Sequence, residues 1–202
     1  MKLYNAAAPS PRRVRIFLAE KAMELPRVDL SLDAGDTRRD DFLQKNSLGE
    51  VPVLELDDGT VICESQAICR YLESLQPEPN LFGADAVERA RIDMWDRRME
   101  LEILNPLGLI ARHSFDFFKD RLTQVPAFAE AQRRDLPARL AWLDSTLADG
   151  RPFITGERFT VADITGMTAL LLSDFVKVPI PDGLDHLRRW NDALRARPSW
   201  NA

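Results

Sequence analysis

The stretch Asn46–Glu73, "NSLGEVPVLELDDGTVICESQAICRYLE", decides the fold class of this chain. Its "PVLELDDGTVICES" portion gives two strands around Asp57-Asp58-Gly59, where glycine takes the positive φ that a tight hairpin turn requires. Ser65 then opens a helix reaching about Leu75. A strand hairpin followed at once by a helix marks a layered α/β unit rather than an all-β one.

Working outward, the segment before it adds a strand-like "KLYN" and a helix over Pro11–Ala22, with Val14, Phe17, Leu18 and Leu25 spaced to form one apolar face. "RVDLSL", Arg27–Leu32, alternates as a half-buried strand does, and a short helix is predicted over Arg38–Lys45. The order is therefore strand, helix, strand, helix, strand, strand, helix. Beyond it, "QPEPNLF" carries two prolines close together and reads as a linker. After the linker strand signals vanish. Helices are predicted over Asp85–Ala111, bent or interrupted near Pro106, and over Pro126–Ala148, Val161–Val176 and Leu184–Ala196. In "RFTVADI" Thr160 can cap backbone amides, Asp163 can reach back, and Phe159 can pack on Ile164 as a hydrophobic staple. The predicted organisation is an α/β domain over 1–76, a linker over 77–85, and an all-helical domain over 86–202.

Composition narrows the function. A chain of 202 residues that is 45% hydrophobic can bury a sizeable core, and a net charge of −5 with basic residues spread along helices gives no nucleic-acid footprint. No apolar run of membrane-spanning length and no signal-peptide core is present, so a cytoplasmic location without membrane contact is expected. Cys63 and Cys69 are six apart, form no C-x-x-C pair, and read as apolar packing residues. His113 and His186 read as structural, and no metal site is expected.

Chemistry has three places to sit. A cis peptide before Pro52 would turn the Val51 amide and carbonyl outward, letting an extended peptide pair with them; the alternative is simply a proline at a strand start. Glu64 and Ser65 stand at a strand-to-helix junction, where Ser65 fits the N-cap position. The helix end attracts a carboxylate and Glu64 an ammonium, so an α-amino acid head satisfies both. In "AAPSPRRV" Ser10 fits the N-cap position and Pro11 the first helical position; such a helix end also favours a thiolate. No cysteine lies near Ser10 in sequence, so the thiol would belong to a ligand.

In combination, "SPRRVRIFLAEK", the 46–73 stretch and "RFTVADI" resemble the cytosolic glutathione S-transferase family over essentially the whole chain. The resemblance implies a thioredoxin-like first domain, an all-helical second domain and a two-fold homodimer. It implies that Val51 pairs through its backbone with the cysteinyl part of glutathione, with Pro52 cis, and that Glu64 and Ser65 hold the γ-glutamyl head. Serine-type members carry their thiol-activating serine two residues before Ser10, where this chain has Ala8, which makes Ser10 the nearest hydroxyl. Tyr4 falls where tyrosine-type members carry a catalytic phenol, and backbone amides of the first helix are a third source of thiolate stabilisation. At the glycine end of glutathione, where some relatives are basic or carry glutamine, this chain has Thr37 and Glu50, with Arg12, Arg38 or Lys45 as compensating cations.

The activity so implied is attack of an activated glutathione thiol on a small apolar electrophile, with glutathione as co-substrate and no other cofactor. Met99, Leu104, Leu107 and Phe117 are candidate pocket residues for the electrophile. The rival readings are reduction of disulfides or peroxides by glutathione, and a non-catalytic binding protein on the same fold.

Overall fold

The computed structural model describes all residues, Met1–Ala202, as two compact units: Met1–Leu81 with Asn201–Ala202, and Phe82–Trp200. The first has a thioredoxin-like α/β fold and the second is all-helical.

The first unit runs β1 (Lys2–Asn5), α1 (Pro9–Glu20), β2 (Arg27–Asp29), α2 (Asp40–Leu43), β3 (Val53–Glu55), β4 (Val61–Cys63) and α3 (Ser65–Leu75). The sheet order is β2-β1-β3-β4, with β1 parallel to β2 and antiparallel to β3, and β3 antiparallel to β4. The β3–β4 turn closes as its sequence requires: Gly59 sits at φ +84°, Leu56 N–H donates to the Thr60 carbonyl at 2.8 Å, and Asp58 accepts from Thr60 N–H at 2.8 Å. The helices α1 and α3 pack together, burying Val14, Phe17, Ile68 and Leu72 with Leu3 and Leu54 of the sheet.

Three local expectations are corrected. The first helix begins at Pro9, two residues before the predicted start, so its N-cap is Ala8 (φ −146°, ψ 160°) and not Ser10. Proline at the first helical position is preset to helical φ and has no amide to lose, while the residue preceding it is held extended, as Ala8 is. β2 is exposed at all three residues instead of half-buried, because it is an edge strand with β1 as its only neighbour. The predicted Arg38–Lys45 helix is split into a 3₁₀ turn over Asp36–Arg38 and the short α2.

The chain beyond α3 is held by a buried cation. Lys21, 1% exposed, donates through Nζ to the carbonyls of Gln76 (2.8 Å), Pro77 (3.2 Å) and Pro79 (2.6 Å) and pairs with Glu73. Gln76 returns a bond to the Lys21 carbonyl at 2.6 Å, and Glu73 accepts from Leu81 N–H at 2.9 Å. These bonds replace the water that a lysine and three carbonyls would otherwise need.

The second unit contains α4 (Ala86–Arg98), a π-helical segment over Met99–Leu104, α5 (Asn105–Ser114), α6 (Pro126–Thr146), α7 (Val161–Phe175) and α8 (Asp185–Arg195). Asp85 caps α4, accepting from Val87 and Glu88 amides at 2.8 and 2.9 Å. The interruption expected near Pro106 takes the form of the π segment: the Asn105 amide bonds to the Glu100 carbonyl, five residues back. Arg139 of α6 donates to both the carbonyl and the carboxylate of Glu102, the residue four before Pro106, whose usual amide partner proline lacks.

The "RFTVADI" motif forms the N-terminus of α7. Asp163, fully buried, reaches back to accept from Thr160 N–H (3.0 Å) and hydroxyl (3.2 Å), and also from Ile154 N–H (2.9 Å) and Trp190 Nε1 (3.0 Å). Desolvation outweighs these donors and pushes its carboxyl up to about 6. Gly166, one turn on, lies flat against Trp190, where a Cβ would overlap Cη2 and Cζ2 of the indole. Of the residues named as a pocket lining, Met99 and Leu107 are 0% and 1% exposed and belong to this core. Leu104 and Phe117 are half-buried.

Candidate functional site

Ser10, Val51, Pro52, Glu64 and Ser65 all lie in the first unit, and the sheet register explains why they converge. Tyr4 of β1 stands opposite Val53, and Val53 stands opposite Cys63. The exit of β1, the entry of β3 and the exit of β4 therefore share one end of the sheet. The β1–α1 connection, the Val51–Pro52 pair and the Glu64–Ser65 junction all emerge there.

The approach to Val51 is shaped by Asn46, only 8% exposed, whose side chain donates to the Glu50 carbonyl (2.8 Å) and accepts from Leu48 N–H (3.2 Å). Gly49 completes the turn at φ +62°, with the Thr37 carbonyl and Arg38 Nη1 each 2.7 Å from where a Cβ would be. The Val51–Pro52 peptide is cis, Pro52 is buried and Val51 half-buried. The Val51 amide and carbonyl bond to nothing in the chain, so one edge of extended backbone is open to an added peptide.

Immediately after the end of β4, Glu64 takes φ +68° and ψ 120°, a left-handed conformation that L-residues rarely adopt. This turn corrects the assignment of Ser65 as N-cap: Glu64 occupies that position, its carbonyl accepts from Ile68 N–H at 3.0 Å, and no side chain caps α3. Ser65 is the first helical residue and faces inward. Its Oγ accepts from Nη1 of Arg13 at 2.9 Å, with the two residues 4% and 3% exposed. Glu64 itself is exposed. The junction thus offers an uncapped helix start, a hydroxyl and a carboxylate, a set that suits an α-amino acid head.

At the third place, Ser10 is exposed in the first turn of α1, and its hydroxyl bonds to nothing in the chain. Pro9 and Pro11 have no amides and the Arg12 amide is taken by the Ala8 carbonyl (3.1 Å), so the Ser10 N–H is the first-turn donor left over. Amide and hydroxyl therefore belong to one residue at a positive helix end. Arg15 steadies this loop from beneath, donating to Asn5 Oδ1 (2.7 Å) and the Ala6 carbonyl (3.3 Å); burial, then the charges of Arg12 and Arg27, draw its guanidinium down.

Tyr4 is committed elsewhere. It is 8% exposed, packs edge-on against Phe42, and donates its hydroxyl to Glu55 at 2.8 Å. Lys45 bonds the same carboxylate at 2.7 Å, and these partners, Lys45 foremost, draw Glu55 down to about 2. Of the cations named for the glycine end, Lys45 is thus engaged with Glu55, Arg38 donates to the Leu48 carbonyl at 3.1 Å, and Arg12 is half-buried on α1. Thr37 is buried and Glu50 exposed. Cys69 is buried and Cys63 half-buried, the latter with its thiol pushed up by burial and by Glu64, which suits packing more than nucleophilic chemistry.

Arg13, Asn46 and the Glu64 backbone were not singled out in the sequence. An arginine in a helix carries no mark of burial, and a positive φ at a glutamate has no residue signature; the X-Pro pair alone had one.

Comparison with known proteins places the chain in a family. The model of the glutathione S-transferase N-terminal domain matches residues 8–75 and that of the C-terminal domain residues 126–193. The chain is 37% identical to glutathione S-transferase 2 of Saccharomyces cerevisiae over 98% of its own length and 87% of that protein. The crystal structure of Gtt2 from the same yeast superposes with a TM-score of 0.92 at 36% identity, covering 100% of this chain and 99% of that one. A glutathione S-transferase domain-containing protein of Marinobacter aquaeolei gives a TM-score of 0.93 at 40% identity, covering 99% and 100%. With both domain models matched in order and full-length relatives of this similarity, the chain belongs to the glutathione S-transferase family.

Proposed function

We propose that this protein binds glutathione and transfers it to a small apolar electrophile. The observation that carries the reading is the convergence, at one end of one sheet, of an open peptide edge at Val51, a carboxylate and a hydroxyl at the uncapped helix start of Glu64–Ser65, and an amide–hydroxyl donor pair at Ser10. Glutathione is γ-glutamyl-cysteinyl-glycine, so its head and its cysteine match two of these places in kind. Val51 pairs with the cysteinyl backbone, Ser65 and the start of α3 take the α-carboxylate, and Glu64 takes the ammonium.

The Ser10 hydroxyl and amide then support the thiolate. Lowering a thiol pKa by about two units needs roughly 2.7 kcal/mol, within reach of a helix terminus plus one or two hydrogen bonds to an anion. The thiol proton leaves to solvent. The sulfur then attacks an electrophilic carbon, forming the S–C bond as a leaving group departs or a double bond accepts the electron pair. Beyond ionisation the protein contributes proximity.

The reading extends to a homodimer in the cytoplasm. Val87, Met94 and Leu101 recur every seven residues along α4 and the π segment and are 71%, 39% and 45% exposed, an apolar stripe suited to a second copy. Equilibrium ultracentrifugation tests this: a dimer that Met94→Glu converts to monomer supports it, and a wild-type monomer at micromolar concentration rejects it.

Calorimetry with glutathione, followed by turnover assays on a haloarene and on a small mixed disulfide, tests the activity. Micromolar to millimolar binding with haloarene conjugation is the expected result. Absence of binding at millimolar glutathione rejects the proposal. Fast disulfide reduction with negligible conjugation replaces transfer by reduction.

A further inference from the structure

We infer that Arg13 is a positioning residue that makes Ser65 a hydrogen-bond donor toward the α-carboxylate of glutathione, an inference that rests on the function proposed above. A serine hydroxyl has one donor and two acceptor sites, whereas a guanidinium only donates. With Arg13 Nη1 placed 2.9 Å from Ser65 Oγ, the oxygen is occupied as an acceptor and its hydrogen must point elsewhere. The Ser65 hydroxyl bonds to no other group of the chain as donor, and it stands at the uncapped start of α3, where an anion is attracted.

Burial gives this bond its leverage. Both residues are more than nine-tenths buried, so water does not compete for the serine lone pair and the guanidinium charge is little screened from the subsite. The arrangement is selective: a donor beside a positive charge favours a carboxylate and gives nothing to a ligand that lacks one. It also ties α1, which carries Ser10, to α3, which carries Ser65, so the thiol end and the head end of the ligand are held to one another through Arg13. An arginine in this helix reads in sequence as solvated, and only the fold turns it inward.

The test compares wild type, Arg13→Gln, Arg13→Lys, Ser65→Ala and the Arg13→Gln/Ser65→Ala double variant. The ligands are glutathione and 4-aminobutyryl-cysteinyl-glycine, which lacks the α-carboxylate. Losing one bond to an anion is expected to weaken glutathione binding about tenfold in Arg13→Gln, with the analogue affected less than twofold. KM for glutathione should rise by the same factor with kcat nearly held, and Arg13→Gln should add nothing in the Ser65→Ala background. Where Arg13→Gln does not fold, Arg13→Lys keeps the charge but not the guanidinium reach, and is read by the same glutathione-to-analogue ratio.

Equal weakening of both ligands, or an Arg13→Gln effect undiminished by Ser65→Ala, overturns the inference and leaves the proposed function standing. Wild-type protein that fails to bind glutathione at millimolar concentration overturns the proposed function, and this inference with it.

Discussion

Replacing Asp163 by alanine and by asparagine should separate the two jobs this carboxylate does, anchoring α7 and satisfying buried donors. Its Oδ1 accepts from Ile154 N–H and Trp190 Nε1, and its Oδ2 from Thr160 N–H and hydroxyl. Alanine orphans three N–H donors, and at about 1–3 kcal/mol for each buried unsatisfied group the loss is at least about 3 kcal/mol. Asparagine keeps one acceptor oxygen. With that oxygen facing Ile154 and Trp190, the Thr160 hydroxyl can turn to accept and one N–H is orphaned, a cost of about 1–3 kcal/mol.

The pH dependence has a definite sign. The folded carboxyl sits at about 6 against its ordinary 3.8, so the folded state binds the extra proton and this group's stabilisation is full below about 3.8 and lost as pH rises through 6. Asparagine does not titrate. Its penalty should therefore be larger at pH 5 than at pH 7, by about 1.4 kcal/mol for a shift of this size. Urea unfolding read by tryptophan fluorescence is the assay, because Trp95, Trp142, Trp190 and Trp200 all lie in the second unit. An asparagine penalty that equals alanine's, or one that shrinks on going from pH 7 to pH 5, refutes the reasoning.

Other perturbations follow from single contacts. Ser10→Ala should leave the unfolding midpoint unchanged, since the hydroxyl is exposed and bonds to nothing in the chain, yet lower turnover about tenfold to hundredfold; undiminished turnover would move the thiolate's support to backbone amides. Tyr4→Phe should leave conjugation within twofold of wild type, because the phenol is spent on Glu55, and a tenfold loss would restore Tyr4 as the thiol donor. Lys21→Met should destabilise the first unit by about 3–5 kcal/mol by removing the cation beside the buried Glu73 and the donor to three carbonyls, with Glu73→Gln recovering part of it, as read by circular dichroism in urea. Gly166→Ala should cost about 1–3 kcal/mol by forcing Trp190 from its place, with a shift in tryptophan emission.

Much of the architecture was legible residue by residue. The hairpin at Asp57-Asp58-Gly59, the end of α3 at Leu75 and the α7 motif at Thr160–Asp163 are written in short-range chemistry: a glycine φ, an apolar period and a cap with its partner. Of the three candidate places, Val51–Pro52 carries its mark in the X-Pro pair and its peptide is cis, whereas Ser10 and Ser65 carry the marks of N-caps, positions that the structure gives to Ala8 and Glu64. Proline at Pro9 moved the start of α1 because two adjacent start signals compete, and only the path of the backbone chose between them.

Tertiary structure decided how those marks combine. The sheet register brought three separate loops to one end, and long-range packing turned Arg13 onto Ser65, Tyr4 onto Glu55 and Lys21 onto the chain after α3. The physical reason is one of range. Turns, caps and helix periods depend on residues within a few positions of one another, whereas the burial of an arginine or the partner of a phenol depends on groups some fifty residues away that meet only once the core has formed.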